Sequence, residues 1–573
     1  MLDKVVAAVE AEAKRLVEEF HRAVGPRGHK GHCEVDREIE ESLRAKLQAL
    51  LPAAFVGEET GTSAGSKSGY TWMVDPHDGT FEFMQGRRGS AVSVALLSGN
   101  SPVLGVVCSP MSPDRGRDTI AWAQGSRSLL RNRRPVKNDL AHQTLVPGAL
   151  VWASASSALK PVSWSLAAAP GRYVAMPSIA YRMARIAAGD GVATLSTHPV
   201  NEYDVAAGMA LIAAANGVAL DAQGREVVLQ GNTDVRVNGV FAGAPQAARE
   251  LLKFDWSRLE QEPRREPRVA LGFPRTSSYL DRAQGVLLGQ VVGDSLGSRT
   301  EFKIPQEIAR LYPEGLRELA DGGPHHTIAG QPTDDSEMAL TLARAILRHR
   351  GFERDKVLDA YREWLQTRPI DIGETTERGL LGLHTTESES NGSLMRVSPI
   401  GVWAAGDPAR AAAAAREDSA LTHPNPVCVE ACAGYCAAIA AGVAGASRKE
   451  MLKAAAAHCT GAAHEAIQRN QVPESFARGW VITALQNAFY RLAGSASLEQ
   501  SLVATVSCGG DTDTNAAIAG ALLGALHGRE AFPERWVLPV LAARPLAEAG
   551  APRPRPMQYW PDDVLEIAEA LLA

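Results

Sequence analysis

Long apolar segments are missing from this chain of 573 residues. No window comes close to the roughly 18 uninterrupted apolar residues that indicate a membrane-spanning helix, so no membrane span is predicted. The first 20 residues carry acidic side chains throughout and lack the apolar core that a signal peptide has. We therefore expect neither a membrane protein nor a cleaved leader.

Cysteine is scarce, with seven residues in the whole chain. An odd number spread over so long a sequence does not suit a disulfide framework, which favours a reducing cytoplasm. Cys428, Cys432 and Cys436 follow one another at four-residue spacing in an alanine-rich apolar segment. On a helix they would form one stripe. Because buried cysteine behaves as a small hydrophobic residue, the stripe predicts core packing rather than a metal site.

An excess of charge of one sign is also missing, because 59 basic and 65 acidic residues leave a formal charge of −6. Binding to a nucleic-acid duplex is not expected without a strongly basic surface. The length is too great for a single core and predicts two domains. Residues 254–278 have the composition of the linker between them, since prolines and mixed charges replace apolar periodicity there.

The first predicted domain, residues 1–253, alternates between helical and strand patterns. Apolar residues spaced by three and four predict amphipathic helices at 1–22 and 35–51. Short β-rich segments bounded by glycine, proline or asparagine predict strands at 70–74, 91–97 and 103–107. This half is therefore expected to be a mixed α/β domain.

The second predicted domain, residues 279–573, shows helical periodicity and no convincing strand. It is expected to be all-α. Its alanine- and leucine-rich helices are predicted at 279–296, 335–350, 354–367, 408–419, 427–444, 449–458, 474–493, 498–506 and 513–527.

Densely packed aspartates are the main feature that the sequence does have. In the first domain, Asp75 and Asp78 flank a proline and a histidine and precede Gly79 and Thr80. Carboxylates this close repel each other unless a cation lies between them, and Mg²⁺ prefers such oxygen ligands. Glu58 offers a further carboxylate upstream.

Two more aspartates of this domain stand beside predicted helices. Asp204 opens a predicted helix, where the N-terminal turn suits an anion. Asp36 precedes the predicted helix at 37–48 and is expected to be its cap.

The second domain has two acidic clusters, Thr333-Asp334-Asp335 and Asp511-Thr512-Asp513-Thr514, each directly before a predicted helix. A helix cap needs only one such residue. Adjacent carboxylates repel by about 4 kcal/mol for a close pair at an effective dielectric of 20. A site for two metal ions explains this excess of acidic residues better than capping does.

The first set of residues resembles the inositol monophosphatase superfamily. That family has Gly-Glu-Glu, then Trp-x-(Val/Ile)-Asp-Pro-x-Asp-Gly-Thr, then Trp-Asp-x-Ala-Ala-Gly, and the matching segments here begin at Gly57, Trp72 and Tyr203. The resemblance covers about residues 1–250. It implies an αβαβα layered fold that hydrolyses phosphomonoesters with Mg²⁺.

This resemblance also implies roles for individual residues. Asp36 and Thr80 resemble the pair that activates the attacking water, and the amides of Gly79 and Thr80 would receive the phosphate. The implied metal ligands are Glu58, Asp75, Asp78, Asp204 and the backbone carbonyl of His77.

Residues 78–97 and 102–107 are similar to one branch of that superfamily, the bisphosphate nucleotidases. These remove the 3′ phosphate of 3′-phosphoadenosine 5′-phosphate, which implies a phosphorylated nucleoside as substrate. The sequence departs from the family in having Tyr203 for tryptophan and Ala214-Ala215-Asn216-Gly217 for Glu-Ala-Gly-Gly. Because that glutamate is commonly near the substrate, its loss is expected to affect substrate choice rather than metal binding.

The second domain resembles the ADP-ribosylglycohydrolases, of the type related to dinitrogenase reductase-activating glycohydrolase. Five motifs occur in the family order over about residues 280–573, beginning at Gly285, Thr333, Asn391, Leu421 and Gly509. The resemblance implies an all-α fold that holds two Mg²⁺ or Mn²⁺ ions between the acidic clusters. It also implies cleavage at the anomeric carbon of the distal ribose of ADP-ribose.

The residues of this second site follow from the same motifs. Glu301 resembles the glutamate that joins the site and gates it, and Asp294 is expected to support a helix end. The ADP-ribose pocket would be lined by Asn391, Gly392, Ser393 and His423, with a packed loop histidine as the alternative for His423. The implied metal ligands are Thr333, Asp334, Asp335, Asp511, Asp513 and Thr514.

Together the two resemblances predict a bifunctional metal-dependent hydrolase. Its substrates would be small-molecule phosphate esters and ADP-ribosyl compounds, including an ADP-ribosylated macromolecule. The alternative is that only the glycohydrolase is catalytic and that the N-terminal domain recognises a phosphorylated ligand. The group attached to ADP-ribose, the choice between Mg²⁺ and Mn²⁺, a substrate shared by both sites and the oligomeric state stay open at this point.

Overall fold

The computed structural model describes the chain except for residues 30, 64–68, 233–234, 266–268, 270, 274–277, 475 and 477–478. The chain divides into two compact units. The first comprises Met1–Pro267 and Leu271–Arg275, and the second comprises Arg268–Ala270 and Thr276–Ala573.

The first unit mixes helices and strands. Its helices are α1 (Leu2–Phe20), α2 (Glu34–Leu50), α3 (Thr80–Phe83), α4 (Pro161–Ala168), α5 (Ile179–Ala187), α6 (Glu202–Ala214), α7 (Pro245–Leu252) and α8 (Arg258–Gln261). Its strands are β1 (Gly28–His29), β2 (His32–Cys33), β3 (Ala54–Gly57), β4 (Gly61–Ser63), β5 (Tyr70–Asp78), β6 (Ala91–Ser98), β7 (Ser101–Ser112), β8 (Gly116–Ala123), β9 (Leu129–Arg131), β10 (Arg134–Val136), β11 (Leu150–Ala153), β12 (Arg172–Ala175), β13 (Ala193–Ser196), β14 (Val200–Asn201), β15 (Val218–Leu220), β16 (Arg236–Val237) and β17 (Val240–Gly243).

Two large sheets order these elements into layers. The larger sheet has the strand order β10-β9-β8-β7-β6-β5-β3-β4 and is antiparallel except for the β3–β5 pair, whereas the smaller has the order β12-β11-β13-β17-β15. Helices α1 and α2 pack on the larger sheet, α5 and α6 contact both sheets, and α4 and α7 pack on the smaller. The arrangement is the predicted αβαβα fold.

The core of this unit follows from the apolar face of α1. Val5, Val9, Leu16 and Phe20 recur at helical spacing and are all fully buried. They belong to one hydrophobic cluster with residues of the larger sheet such as Trp72. The periodicity that predicted α1 therefore also identifies the surface that it buries.

The second unit is helical, as predicted, and no strand occurs among its described residues. Its α-helices are α9 (Leu280–Gly297), α10 (Pro305–Leu311), α11 (Asp334–His349), α12 (Arg354–Gln366), α13 (Glu374–Leu380), α14 (Ser398–Trp403), α15 (Pro408–Ser419), α16 (Pro426–Val443), α17 (Arg448–Ala457), α18 (Gly461–Gln468), α19 (Val481–Ala493), α20 (Leu498–Val506), α21 (Thr512–His527), α22 (Glu534–Ala542) and α23 (Val564–Ala570).

Helices α9 and α21 pack backbone against backbone along a face of small residues. Glycines recur every fourth residue in α9, at 285, 289, 293 and 297, and so lie on one side of the helix. A Cβ atom at Gly289 would lie 2.2 Å from the carbonyl oxygen of Gly520, and one at Gly293 would lie 2.0 Å from that of Ala516. Only glycine fits such an approach, which brings the end of α9 beside the start of α21.

Helix α16 is long and apolar enough to cross a membrane by composition alone. However, 72% of its residues are buried inside the unit, so it is a core helix. Cys428, Cys432 and Cys436 are all fully buried on it. The prediction that this cysteine stripe packs in the core is confirmed.

The first part of the predicted linker packs on the first unit. The Glu262 carboxylate accepts hydrogen bonds from the N–H groups of Val162 and Ser163 at 3.0 and 2.7 Å. The Trp256 ring lies 5.1 Å from that of Trp164, measured between centroids. Proline-rich, charged composition therefore did not reveal that these residues are held by the domain that precedes them.

Candidate active sites

A β-bulge brings Asp75 and Asp78 to the same side of β5. Residues three apart in a regular strand point to opposite faces of the sheet. Here Asp75 pairs with Ser93 of β6 whereas Asp78 pairs with Ala91, so three steps on β5 face two steps on β6. The extra residue turns the second carboxylate onto the face of the first.

Three aspartates of this site are each oriented through one oxygen, which leaves their other oxygen for a cation. Each of the three accepts a hydrogen bond from a backbone N–H group, and Asp78 Oδ2 accepts a second one from the hydroxyl of Ser178 at 2.5 Å. The backbone donors are His77 N–H at 2.8 Å for Asp75 Oδ1, Ala180 N–H at 2.7 Å for Asp78 Oδ2 and Asn201 N–H at 2.8 Å for Asp204 Oδ2.

The electrostatics of the cluster fit a divalent cation. Burial, followed by the charges of Glu58 and Asp78, raises the pKa of Asp75 well above its ordinary value. Burial also raises the pKa of Asp78 and Asp204. Part of the Glu58 side chain reaches solvent, yet loss of water around its carboxyl and then the charge of Asp36 raise its pKa to about 8. Carboxylates that resist ionisation together would be relieved by Mg²⁺.

Stabilisation by Mg²⁺ is therefore expected to grow as the pH rises. The pKa of Glu58 is about 8 in the folded protein against an ordinary 4.5, so the stability of the metal-free protein from this group is full below about pH 4.5 and is lost towards about pH 8. Mg²⁺ replaces the protons and reverses this loss. The check is the difference in Tm between Mg²⁺-loaded and EDTA-treated protein at several pH values. A difference in Tm that is the same at about pH 5 and at about pH 8 would contradict the prediction.

Asp36 and Thr80 meet beside the metal cluster. The Thr80 hydroxyl lies 3.3 Å from Asp36 Oδ2 and 2.6 Å from the carbonyl oxygen of His77. Asp36 does not cap a helix that follows it: α2 already begins at Glu34, so Asp36 lies in its first turn, and the cap position belongs to Cys33. The expectation of a cap was wrong because the three residues before the predicted start, Glu34, Val35 and Asp36, also adopt the helical conformation.

Gly79 makes the tight turn from β5 into the one-turn helix α3. Its φ is +99°, a conformation that other residues rarely adopt. A Cβ there would come within 3.2 to 3.3 Å of Pro177 and Ser90. The glycine therefore lets the backbone at Gly79 and Thr80 turn directly beside the carboxylates.

The two departures from the family pattern lie at opposite ends of α6. Tyr203 is near the carboxylates. Burial and then the charges of Glu58 and Asp204 raise the pKa of its hydroxyl. Ala214 is the last residue of α6, ten residues beyond Asp204. At 1.5 Å per residue that is about 15 Å along the helix. The expectation that Ala214–Gly217 affects substrate choice stays a prediction.

Arg182 is a buried cation beside this site that sequence reasoning missed. Its side chain is 2% exposed, and its Nη1 donates to the carbonyl oxygen of Leu195 at 2.6 Å. In the described part of the chain no carboxylate forms a salt bridge with it. Burial lowers its pKa to about 10, while the charges of Asp78 and Glu82 act in the opposite sense. No sequence motif indicated this arginine, because its burial without a salt-bridged carboxylate is visible only in the described structure.

In the second unit, Asp294 ties α9 to the start of α11. Its Oδ1 accepts the N–H of Thr333 at 3.0 Å and lies 2.9 Å from the Thr333 hydroxyl. Its Oδ2 accepts the N–H of Ser336 at 3.0 Å. Asp294 was expected to support a helix end, and the helix that it supports is α11 rather than its own.

The predicted acidic residues converge beside this junction. Glu301, Asp511 and Asp513 each place one carboxylate oxygen within 4.8 Å of those of the other two. Burial and neighbouring charges raise the pKa of Asp334, Asp335 and Asp513 well above their ordinary values. The predicted metal ligands also include the hydroxyl residues Thr333 and Thr514. The Thr333 hydroxyl oxygen lies 3.1 Å from Asp335 Oδ2.

An unpaired atom indicates what this cluster is suited to hold. Asp335 Oδ1 is buried and makes no hydrogen bond within the described part of the chain. Leaving a carboxylate oxygen buried and unpaired costs free energy unless a cation takes it as a ligand. The donors are carboxylates and hydroxyls, which suit Mg²⁺ or Mn²⁺.

The residues predicted to line the ADP-ribose pocket differ in what surrounds them. Asn391 is at the acidic cluster, where its Nδ2 donates to Asp511 Oδ2 at 2.7 Å. Gly392 lies above His423, whose ring a Cβ at Gly392 would approach to 3.0 Å. Ser393 is fully buried and accepts a hydrogen bond from the Ser419 hydroxyl at 2.9 Å.

His423 is buried in the second unit. Its ring nitrogens are paired with the Thr422 hydroxyl at 2.7 Å and the Ser390 hydroxyl at 2.9 Å. Burial, followed by the charge of Arg396, lowers its pKa to about 3, so the ring is neutral. These contacts agree with a packed loop histidine, and the pocket role of His423 stays a prediction.

His325 is a neighbour of Glu301 that the sequence did not single out. Its Nε2 lies 2.5 Å from Glu301 Oε2, and this hydrogen bond raises the pKa of His325. Glu301 thus faces the acidic cluster on one side and an imidazole on the other. The only available signal was the adjacent pair His325-His326, which has no spacing relative to a known motif.

The sequence model of the ADP-ribosylglycohydrolase family matches residues 275–571, and that of the inositol monophosphatase family matches residues 4–258. The chain therefore belongs to the ADP-ribosylglycohydrolase family, with an inositol monophosphatase-family domain preceding the glycohydrolase domain. Both are families of hydrolases.

Individual relatives match one half or the other. The chain is 28% identical over 271 residues to the ADP-ribosyl-[dinitrogen reductase] glycohydrolase of Rhodospirillum rubrum, covering 45% of this chain and 90% of that protein. It is 27% identical over 282 residues to the ADP-ribosylarginine hydrolase Tri1 of Pseudomonas putida, covering 45% and 74%. It is 28% identical over 194 residues to the fructose-1,6-bisphosphatase/inositol-1-monophosphatase of Aquifex aeolicus, covering 32% and 69%.

Proposed function

We propose that the chain is a bifunctional metal-dependent hydrolase with one active site in each unit. The observation that carries this proposal is the convergence of buried carboxylates at two separate places, each with a raised pKa and each with oxygen donors only. Such clusters are unfavourable without cations, so their presence in both units supports a catalytic role for both.

The second unit would cleave the bond at the anomeric carbon of an ADP-ribosyl substrate. Two Mg²⁺ or Mn²⁺ ions, held by Thr333, Asp334, Asp335, Asp511, Asp513 and Thr514, would polarise the ribose hydroxyls and a water molecule. Glu301 borders the same cluster and would close the site over the ribose. Asn391 would orient Asp511, and Gly392, against which Thr376 and His423 pack, would help to shape the pocket.

The first unit would remove a phosphate from a phosphorylated nucleotide or sugar. Mg²⁺ held by Glu58, Asp75, Asp78, Asp204 and the carbonyl of His77 would neutralise the phosphate charge. Asp36 would accept a proton from the water that Thr80 orients. Burial raises the pKa of Asp78, whereas the charge of the buried Arg182 acts in the opposite sense and would favour the ionised form of that ligand.

The alternative, a non-catalytic recognition module, is less favoured. A module that only binds a phosphorylated ligand does not need a complete ligand set together with the Asp36–Thr80 pair. The similar ADP-ribosylarginine hydrolase makes ADP-ribosylated arginine the first compound to test in the second unit, and the similar ADP-ribosyl-[dinitrogen reductase] glycohydrolase adds an ADP-ribosylated protein. A reducing cytoplasm is the proposed location, in keeping with seven unpaired cysteines of which six are buried.

The test is a screen of the whole chain for phosphate release and ADP-ribose release with Mg²⁺ and with Mn²⁺. We expect phosphate from phosphorylated nucleosides or sugars, and ADP-ribose from ADP-ribosylated arginine, with both activities removed by EDTA. ADP-ribose release without phosphate release from any phosphomonoester would favour the recognition module. Loss of neither activity in EDTA would contradict the proposal for both sites.

A further inference from the structure

The His77 side chain is hydrogen-bonded at both ring nitrogens inside the first unit. Its Nδ1 lies 2.7 Å from Asp36 Oδ1, and its Nε2 lies 3.0 Å from the Ser90 hydroxyl. The ring is fully buried and meets the Phe83 ring edge to face at 4.4 Å between centroids. These contacts leave the imidazole no freedom to turn.

The hydrogen-bond pattern assigns one tautomer to the neutral ring. A carboxylate accepts hydrogen bonds only, so the proton lies on Nδ1 and points to Asp36. Nε2 is then an acceptor, and the hydroxyl of Ser90 donates to it. Asp36 therefore determines which nitrogen carries the proton, and the Ser90 hydroxyl, which can donate or accept, takes the role of donor.

Asp36 depends on this contact. Among the described residues its carboxylate is hydrogen-bonded only to His77 and Thr80, and no arginine or lysine is paired with it. With Oδ1 held by the imidazole, Oδ2 is the oxygen that faces the Thr80 hydroxyl at 3.3 Å. A free carboxylate would turn about its last torsion, which is a broad one.

A shared metal ion does not account for the group better. The Cys33 sulfur, an Asp36 oxygen and a His77 nitrogen all lie within 4.8 Å of one another, which invites a zinc assignment. Two ligands of a tetrahedral zinc, each about 2.1 Å from the ion, are about 3.4 Å apart. The 2.7 Å between Asp36 and His77 is instead the length of a charge-assisted hydrogen bond.

We propose that the His77 side chain is a positioning residue for the phosphatase reaction, holding Asp36 so that its second oxygen addresses Thr80. The inference rests on the proposed phosphatase function. It gives His77 two separate tasks, since its backbone carbonyl accepts from the Thr80 hydroxyl while its ring orients Asp36. The ring acts through Asp36 by a hydrogen bond and does not contact the substrate. The loss of an orienting hydrogen bond of this kind typically lowers activity about 10- to 100-fold.

A matched pair of substitutions tests the inference in the full-length protein. The amide nitrogen of asparagine falls close to the position of Nδ1, whereas that of glutamine falls close to Nε2. His77→Asn is therefore expected to keep kcat within about fivefold of the parent, and His77→Gln to lower it about 10- to 100-fold, with KM little changed in both. Glutamine is the closer match to histidine in size, so a packing role alone predicts the opposite order.

Two further measurements separate the inference from the function on which it rests. Cys33→Ala removes a neighbouring side chain that makes no hydrogen bond to Asp36 and should leave kcat within about twofold. In metal-free protein, the Nδ1 proton should give a downfield, slowly exchanging NMR signal that His77→Gln removes and Cys33→Ala keeps.

The outcomes are distinct. A parent protein without phosphatase activity overturns the proposed function, while the NMR signal still tests the hydrogen bond. An active parent with equal losses in His77→Asn, His77→Gln and Cys33→Ala overturns the positioning role and leaves the phosphatase intact. Absence of the downfield signal in the parent also overturns it.

Discussion

Asp335→Asn is expected to abolish ADP-ribose release, by at least about a thousandfold, which corresponds to about 4 kcal/mol of activation free energy. Asp335 Oδ1 is buried without a hydrogen-bond partner, so the substitution removes a negative charge from the place where a cation would sit. The new amide group would also direct a donor towards that cation. Phosphate release by the first unit should not change.

The same substitution should stabilise the metal-free protein while it removes activity. Burial and the charges of Asp294, Asp334 and Asp511 raise the pKa of Asp335, so its ionised form is unfavourable without metal. We expect a higher Tm than the parent in EDTA and a smaller rise in Tm on adding Mn²⁺. Asp359→Asn, on the exposed surface of α12, is the matched control and should change neither quantity. Full ADP-ribose release by Asp335→Asn would show that the cluster does not act in catalysis.

Asp75→Asn is expected to produce the reverse pattern, with phosphate release lowered by about a thousandfold. Asp75 is 1% exposed, is oriented by the N–H of His77 and lies near Glu58, whose charge adds to burial in raising the pKa of Asp75. Its loss removes the central ligand of the cluster. ADP-ribose release should stay at the level of the parent protein.

Asp3→Asn is the control for this variant, since Asp3 is exposed in the first turn of α1. If Asp75→Asn lowers both activities together, the two reactions are not independent. If the variant releases phosphate normally, the Asp75 cluster is not the phosphatase site. Together, Asp335→Asn and Asp75→Asn decide between two enzymes and an enzyme with a recognition module.

Sequence patterns predicted most of the long helices, because apolar periodicity over ten or more residues is a strong signal. They missed α10, α13, α14, α18, α22 and α23, which have six to nine residues each and too few turns to show a period. The predicted helix at 474–493 begins at Val481, and residues 475 and 477–478 of it lie outside the described part of the chain.

The site residues show the same division. Aspartates in dense motifs were found because their mutual repulsion is visible in the sequence itself. Residues whose role comes from a tertiary neighbour were not found, as with Arg182 and His325. Burial is a tertiary property too, so the sequence did not show that Ser393 and His423 are buried, and their place in the pocket stays a prediction.

The contact between α9 and α21 has a consequence for how the glycohydrolase centre can respond to different ions. Glycines every four residues mean that the two helices can slide past each other without a clash only in steps of about 6 Å. A step of that size would move each residue of α9 away from the residue of α21 that it now contacts. Sliding of α9 along α21 in smaller steps is therefore excluded. Adaptation to an ion of another radius falls to side-chain torsions and to the loop that carries Glu301, which makes that loop the place to engineer metal preference.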